Sequence, residues 1–211
     1  RNFDAHSFLL LRLGRVANVF DIDLTYDNII GAIRNKKGFL YTIEVDPDYG
    51  KYHLDGHRAC DVCLEPKESL KNKNICPKCK KPLTVGVLQR VEQLADREEG
   101  FKPKDAVPFK SFIPLSEILS VLLGSGVASK KVWQEYYKLV NDSNSELDVL
   151  METKREDLMK VTDGKIADAI IKVREGKVKI KPGYDGVYGQ PIFEDNEKVT
   201  DKKQKGLSAF F

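Results

Sequence analysis

The chain of 211 residues has no run approaching the ~18 consecutive apolar residues of a membrane span. It also lacks a basic segment leading into a long apolar stretch, so no secretory signal is visible. These absences exclude an integral helical membrane protein and make a cytoplasmic one the expectation. Neither sign of charge is in marked excess: 35 Lys and Arg against 32 Asp and Glu leave +3, too little by itself to imply a nucleic-acid partner. Histidine is scarce, with only His6, His53 and His57. There is no internal repeat. The first residue is Arg1 and not Met, so the sequence is read as processed at its start or as the C-terminal part of a longer polypeptide.

Local charge says more than the total. Residues 58–82 carry seven bases and three acids, and residues 172–181 carry five bases and one acid. Residues 142–157 reverse the sign, with six acids and two bases. Such patches are either solvated faces or contact surfaces.

The four cysteines all fall in the first basic window, as Cys60-x2-Cys63 and Cys76-x2-Cys79. Two residues between thiolates let one tight turn aim both sulfurs at one ion, and two such knuckles supply the ligands of a tetrahedral zinc. Two disulfides would fit a secreted chain, which this does not resemble. The spacing therefore predicts a zinc ribbon bound by Cys60, Cys63, Cys76 and Cys79. Four protein ligands leave no open position, so the zinc is expected to be structural. Lys78 and Lys80 lie in and beside the second knuckle and would partly offset the thiolate charge.

Along the chain, Asp4-x-His6 would project both side chains to one face at a strand end. Thr25 reads as an N-cap before Ile29, Ile30 and Ile33 at helical spacing, with Gly38 as a stop. Residues 39–45 are β-prone, so the order β-α-β suits the last part of an α/β domain. Residues 46–59 read as loop. Val87, Val91, Leu94 and Ala95 predict an amphipathic helix, followed by a proline-marked loop over 101–114. Helices are then expected at 115–123, after Ser129 (with Val132, Trp133, Tyr136, Tyr137 and Val140), after Ser145 with Asp148 as a capping box, and after Asp163 as far as Gly176. Trp133 and Tyr136 are expected in the core. Residues 182–189 are turn-rich, and 194–205 are polar and expected to be disordered.

The C-terminus reads Gln204-Lys205-Gly206-Leu207-Ser208-Ala209-Phe210-Phe211. Leu207, Phe210 and Phe211 can share one face of a short helical turn and plug into an apolar groove, with Gln204 at its edge. This matches Q-x-x-L-x-x-F-F, by which many replication and repair proteins dock on the sliding clamp, PCNA.

Several segments together resemble one family. They are Asp4-Ala5-His6-Ser7, Leu13-Gly14-Arg15 through Asp21, Gly50-Lys51-Tyr52-His53-Leu54-Asp55-Gly56-His57-Arg58, the knuckles, Val132-Trp133, and Pro182-Gly183-Tyr184-Asp185-Gly186-Val187-Tyr188-Gly189. In this order they are similar to the C-terminal half of endonuclease Q, a DNA-repair nuclease with a PHP-type metallohydrolase domain. The resemblance implies cleavage of the DNA backbone 5′ to deaminated bases (uracil, hypoxanthine, xanthine) and abasic sites. It implies that Asp4 and His6 are the last of the barrel's ligands for catalytic divalent metal ions, Zn2+, Mg2+ or Mn2+. The barrel's His-x-His opening and its middle ligands are absent from this sequence. Since a barrel of this type takes about 250 residues, only its final strand and helix can be here.

The expected fold is accordingly a mixed α+β chain. Residues 1–50 would be the C-terminal part of the PHP domain, 51–100 the zinc-ribbon region, 101–193 a helical domain, and 194–211 a tail with the clamp motif. Lys78, Lys80, Lys81, His57 and Arg58 are expected at the DNA. The function expected is that of a C-terminal portion or subunit of an endonuclease Q-like enzyme, paired with a separately encoded N-terminal half if the enzyme is split. The alternatives are a non-catalytic zinc-ribbon DNA-binding adaptor that links a partner to the clamp, and a subunit that helps a separate barrel to close.

Overall fold

The structure, a computed structural model, describes residues 15–193. It is an α+β arrangement of eight α-helices among the described residues with three small sheets. Asp4 and His6, and Gln204, Leu207, Phe210 and Phe211, lie outside the described residues.

Strand β1 (Ala17–Phe20) leads into helix α1 (Tyr26–Asn35), where Thr25 accepts a hydrogen bond from the Asn28 N–H as the expected N-cap. Helix α1 ends at Lys36 in the left-handed region, two residues before the expected Gly38. Strand β2 (Phe39–Glu44) follows and pairs antiparallel with β1. Consecutive strands of an α/β barrel pair parallel, so these described strands of the 1–50 range do not repeat the barrel pattern. The Asp21 N–H donates to the Gly38 carbonyl, so the connection turns straight back and leaves α1 beyond the strand ends. On its other edge β2 pairs parallel with β5 (Phe109–Ser111), a short strand inside the stretch expected as loop.

The helical part follows the caps closely. Helix α4 (Leu115–Leu122) buries Leu115, Ile118 and Leu119. Helix α5 (Lys130–Ser143) starts at Ser129, α6 (Glu146–Met151) at Ser145, and α8 (Gly164–Arg174) at Asp163, each with a side-chain cap. Between them lies α7 (Arg155–Val161), which buries Leu158 and has no side-chain cap at Lys154. Glu146 joins three elements: one carboxylate oxygen accepts from the Leu115 N–H at 2.8 Å and the other from the Tyr136 hydroxyl at 2.8 Å. It thereby satisfies one of the free N–H groups at the start of α4. Burial and the adjacent Glu146 charge both raise the Tyr136 pKa, so the hydroxyl stays a donor. Tyr136 packs at the core edge, and Trp133 lies beside it with ring centroids 4.9 Å apart and ring planes inclined at 59°.

One apolar cluster takes in Leu119, Val132, Leu139, Leu158 and Ile170 from the helices and reaches Ile43 and Tyr49 on one side and Phe193 on the other. A salt bridge from Arg15, at the start of the described chain, to Glu117 of α4 further ties the sheet to the helices. A second, smaller cluster of Val62, Cys76 and Leu83 lies under the cysteine segment. Among the described residues no helix is long and apolar enough to cross a membrane.

Candidate metal centre and the surface around it

The segment expected as loop before the cysteines contains β3 (Asp55–His57), which pairs antiparallel with β4 (Val62–Leu64). A 3-10 turn at Arg58–Cys60 and a left-handed Asp61 connect the two strands. That turn brings Cys60 back beside His57, so His57-x2-Cys60 forms the first knuckle. The second knuckle, Cys76 to Cys79, is closed by the Lys80 N–H donating to the Cys76 carbonyl and the Cys76 N–H to the Lys81 carbonyl.

The ligand atoms of His57, Cys60, Cys76 and Cys79 lie within 4.8 Å of one another. His57 Nδ1 is 3.3 Å from Cys79 Sγ. Tetrahedral zinc, with bonds of about 2.3 Å to sulfur and about 2.0 Å to nitrogen, sets neighbouring ligand atoms roughly 3.5–3.8 Å apart. Three thiols and an imidazole at this spacing fit zinc with little movement. Crowding shows in the thiols themselves. The Cys79 thiol beside it, followed by burial, pushes Cys60 up to about 11. Burial also opposes ionisation of Cys76, but hydrogen bonds from the Cys79 and Lys78 backbone and from the His57 and Cys79 side chains hold it down at about 6.

The structure gathers His57, and not Cys63, with three of the four expected cysteines. The reason is the strand pleat. Side chains alternate between faces along β4, and Val62 takes the buried face, so Cys63 points the other way and is exposed. His57, expected at the DNA, lies among the candidate ligand atoms. Lys78 is partly committed as well, its ammonium donating to the Cys60 carbonyl at 2.7 Å. Lys80, Lys81 and Arg58 are exposed. His53 pairs with Asp48 at 2.9 Å.

Behind the knuckles sits a buried carboxylate that the sequence reading did not single out. Asp55 of β3 is fully buried. It accepts from the Gly86 N–H at 2.6 Å, from Gln89 Nε2 at 2.8 Å, and from the Ser69 hydroxyl. Ser69 comes from α2 (Pro66–Lys71) and Gln89 from α3 (Val87–Leu94), so one side chain ties both helices to the ligand strand. Helix α3 forms where its apolar spacing predicts, but with the opposite face inward. Gln89 is buried, while Val87, Val91 and Leu94 are exposed.

The turn at residues 182–189 closes over this unit from the far end of the chain. Asp185 accepts from the Arg58 N–H at 2.6 Å and from the Thr84 hydroxyl at 2.6 Å, and the Tyr184 hydroxyl donates to Asp61 at 2.6 Å. The Leu54 N–H donates to the Gly183 carbonyl, and the Gly183 N–H to the Asp48 carbonyl. This approach of backbone to backbone requires glycine. A Cβ at Gly189 would lie 2.2 Å from the Asp48 carbonyl oxygen, and one at Gly183 would lie 2.4 Å from that of Gly50. The Gly-Tyr-Asp-Gly stretch therefore earns its composition by docking on the metal segment.

Comparison with known proteins places this arrangement. Residues 114–177 match a family described as the MJ0043 C-terminal domain. An uncharacterized Methanocaldococcus jannaschii protein, MJ0043, is 33% identical over 199 residues, covering 92% of this chain and 25% of that protein. The crystal structure of a lesion-specific endonuclease from Pyrococcus furiosus, PfuEndoQ, superposes with a TM-score of 0.77 and 33% identity over 95% of this chain and 50% of that one. Endonuclease Q in complex with a 27-mer duplex carrying an abasic lesion gives a TM-score of 0.74 and 33% identity over 92% of this chain and 49% of that one. The chain thus spans a quarter to a half of the length of the relatives it matches. Its structural neighbours are endonuclease Q, over nearly its whole length.

Proposed function

We propose that this chain is the recognition and tethering part of an endonuclease Q-like DNA-repair enzyme that cuts the backbone 5′ to deaminated bases and abasic sites. The observation that carries this reading is the likeness, over nearly all of this chain, to half of an enzyme crystallised on lesion-bearing duplex. In this reading the His57, Cys60, Cys76 and Cys79 site holds zinc as a structural ion, with no open position for substrate. What the zinc would supply is a fixed frame for the 54–62 hairpin and the second knuckle, and for the basic residues on or beside them. Lys80, Lys81 and Arg58 grip phosphates in a salt-dependent, sequence-independent way. Hydrolysis of the phosphodiester needs further metal ligands. Asp4 and His6 would contribute two of these, and the remainder would come from a barrel half supplied by the rest of the enzyme or by a partner subunit.

The test combines binding and nicking of labelled duplexes that carry one hypoxanthine, uracil or abasic site. The chain is expected to bind duplex DNA with an affinity that falls about 40-fold between 50 and 200 mM salt, as for three phosphate contacts. Absence of salt-sensitive binding would overturn the reading. A nick 5′ to the lesion that is lost in Asp4→Ala would place a working metal site in this chain. Binding without nicking would place the chemistry in a partner.

Tethering rests on the tail. With Phe210→Ala and Phe211→Ala together, binding to the sliding clamp is expected to disappear while DNA affinity stays unchanged. Surface plasmon resonance on immobilised clamp reads this directly, and clamp binding that survives both changes means the tail is not the anchor.

A further inference from the structure

Two oppositely charged stretches lie outside the metal segment. Residues 172–181 carry five bases and one acid, and residues 194–201 carry four acids and one base. The fold turns part of the first stretch into a surface. Lys179 and Lys181 belong to β6 (Lys179–Lys181), which pairs antiparallel with β7 (Gln190–Ile192). Ile180 between them turns to the half-buried face, so both lysines stand exposed on the other. Neither is in an ion pair among the described residues. Lys177, just before the strand, pairs with Glu175 at 2.7 Å. Arg174 is spent elsewhere, its guanidinium donating to the carbonyls of Val149, Leu150 and Thr153.

The acidic stretch starts from this same surface. Phe193 is 5% exposed and belongs to the main core, which pins the chain at that point. Ile192 stands opposite Lys179 in the strand register, two residues before Glu194. Lys179 and Lys181 are ~7 Å apart along the strand. Eight residues of extended chain reach at most about 29 Å, so the acids need only a fraction of their reach to come onto the lysines. Being part of the same chain, they meet the lysines at an effective concentration in the millimolar range, where weak ion pairs are populated. Carboxylates and DNA phosphates make the same charge-assisted hydrogen bonds to lysine, so each excludes the other.

We propose that the stretch bearing Glu194, Asp195, Glu197 and Asp201 docks on Lys177, Lys179 and Lys181, and that duplex DNA must displace it to use this surface. The chain thus carries its own competitor for phosphate. The inference rests on the DNA-binding reading above and adds to it a second basic surface and the segment that covers it.

Two measurements on the full chain test this. A carbodiimide joins a carboxylate to an amine as an amide, with loss of water, only where the two touch. Mass spectrometry of the treated chain is expected to find residues 194–201 joined to Lys177, Lys179 or Lys181, and added duplex is expected to reduce these cross-links. Their absence from the DNA-free chain would overturn the docking, whatever the chain does with DNA. The second measurement is fluorescence anisotropy on a paired duplex. A chain with Glu194→Gln, Asp195→Asn, Glu197→Gln and Asp201→Asn together is expected to bind more tightly than wild type at 50 mM salt. Its slope of log affinity against log salt is expected to be steeper by about two, as for two further phosphate contacts, so its advantage shrinks about 10-fold between 50 and 200 mM. Lys179→Gln with Lys181→Gln is expected to change little when the acids are present and to cancel the gain when they are neutralised. Equal affinity of the wild-type and neutralised chains, or the same loss from the lysine changes in both, would overturn the competition while leaving the DNA-binding reading standing. No salt-sensitive binding by either chain would overturn both.

Discussion

Replacing Cys76 by serine is expected to abolish stoichiometric zinc binding and to unfold the hairpin around it, whereas replacing Cys63 by serine leaves bound zinc at one per chain. The contrast follows from geometry. Cys76 is fully buried in the small cluster with Val62 and Leu83, and its sulfur lies among the other ligand atoms. Cys63 faces solvent on the far side of β4. Structural zinc contributes about 10–16 kcal/mol of apparent binding energy in small metal-bound folds, far more than a cluster of three side chains supplies. Losing one ligand of four therefore removes most of what orders residues 54–84. The ligand exchange gives a further arm: His57→Ala should lose zinc as Cys76→Ser does. Metal analysis after gel filtration checks all three, and a Cys63→Ser protein without zinc would restore the four-cysteine assignment. The pH dependence has a definite sign. Protons compete with zinc for thiolates, so affinity rises with pH. With Cys60 near 11 and Cys76 near 6 in the metal-free chain, neutral binding must expel the Cys60 proton, and below about pH 6 the Cys76 proton as well. Zinc loss on acidification is thus expected to steepen below about pH 6.

The second large effect is expected at Asp55. Asp55→Ala leaves the buried Gly86 N–H without its acceptor and removes the carboxylate that also receives Gln89 and Ser69. Hydrogen bonds to a charged group are worth roughly 1.5–3 kcal/mol each, and a buried orphan donor costs about 1–3 kcal/mol. Ser69 and Gln89 keep other acceptors, at Glu65, Pro66 and Asn74, so their losses are partial. The sum comes to about 3–5 kcal/mol, a fall in melting temperature on the order of 10 °C for a chain of this size. Asp55→Asn keeps one acceptor oxygen and should lose about half as much. Thermal unfolding with zinc present measures both, and an Asp55→Ala protein that melts with the wild type would show that the carboxylate does not hold the hairpin.

Much of the helical part was legible because capping chemistry is local. Thr25, Ser129, Ser145 and Asp163 each announce a helix by a side chain that bonds to a backbone group two or three residues on. Helix α7 escaped notice because Lys154 caps nothing and its buried face is little more than Leu158. The strands were harder to read. β3 and β5 have three residues each, too few for alternation to show, and pairing direction is decided by partners distant in sequence. The metal centre shows the same divide. The window from 60 to 79 is evident from its cysteines, which by spacing alone favour Cys60 and Cys63 as the first pair, although His57 stands at the same spacing before Cys60. The choice between them is made by Val62, whose burial turns Cys63 outward. Gln89 misled in a related way: apolar spacing marked α3 correctly as a helix, while a buried aspartate claimed its polar face.

The docked turn also sets an order of events during synthesis. Arg58 and Asp185, which it joins, are 127 residues apart. At ~5–20 residues per second, the turn leaves the ribosome on the order of 10 s after the hairpin it covers. The two knuckles need only their own short loop to meet, so the four candidate ligand atoms can come together in that interval. The nascent chain therefore carries an unroofed hairpin, and the contacts of Tyr184 and Asp185 with it form only once translation has passed Gly189.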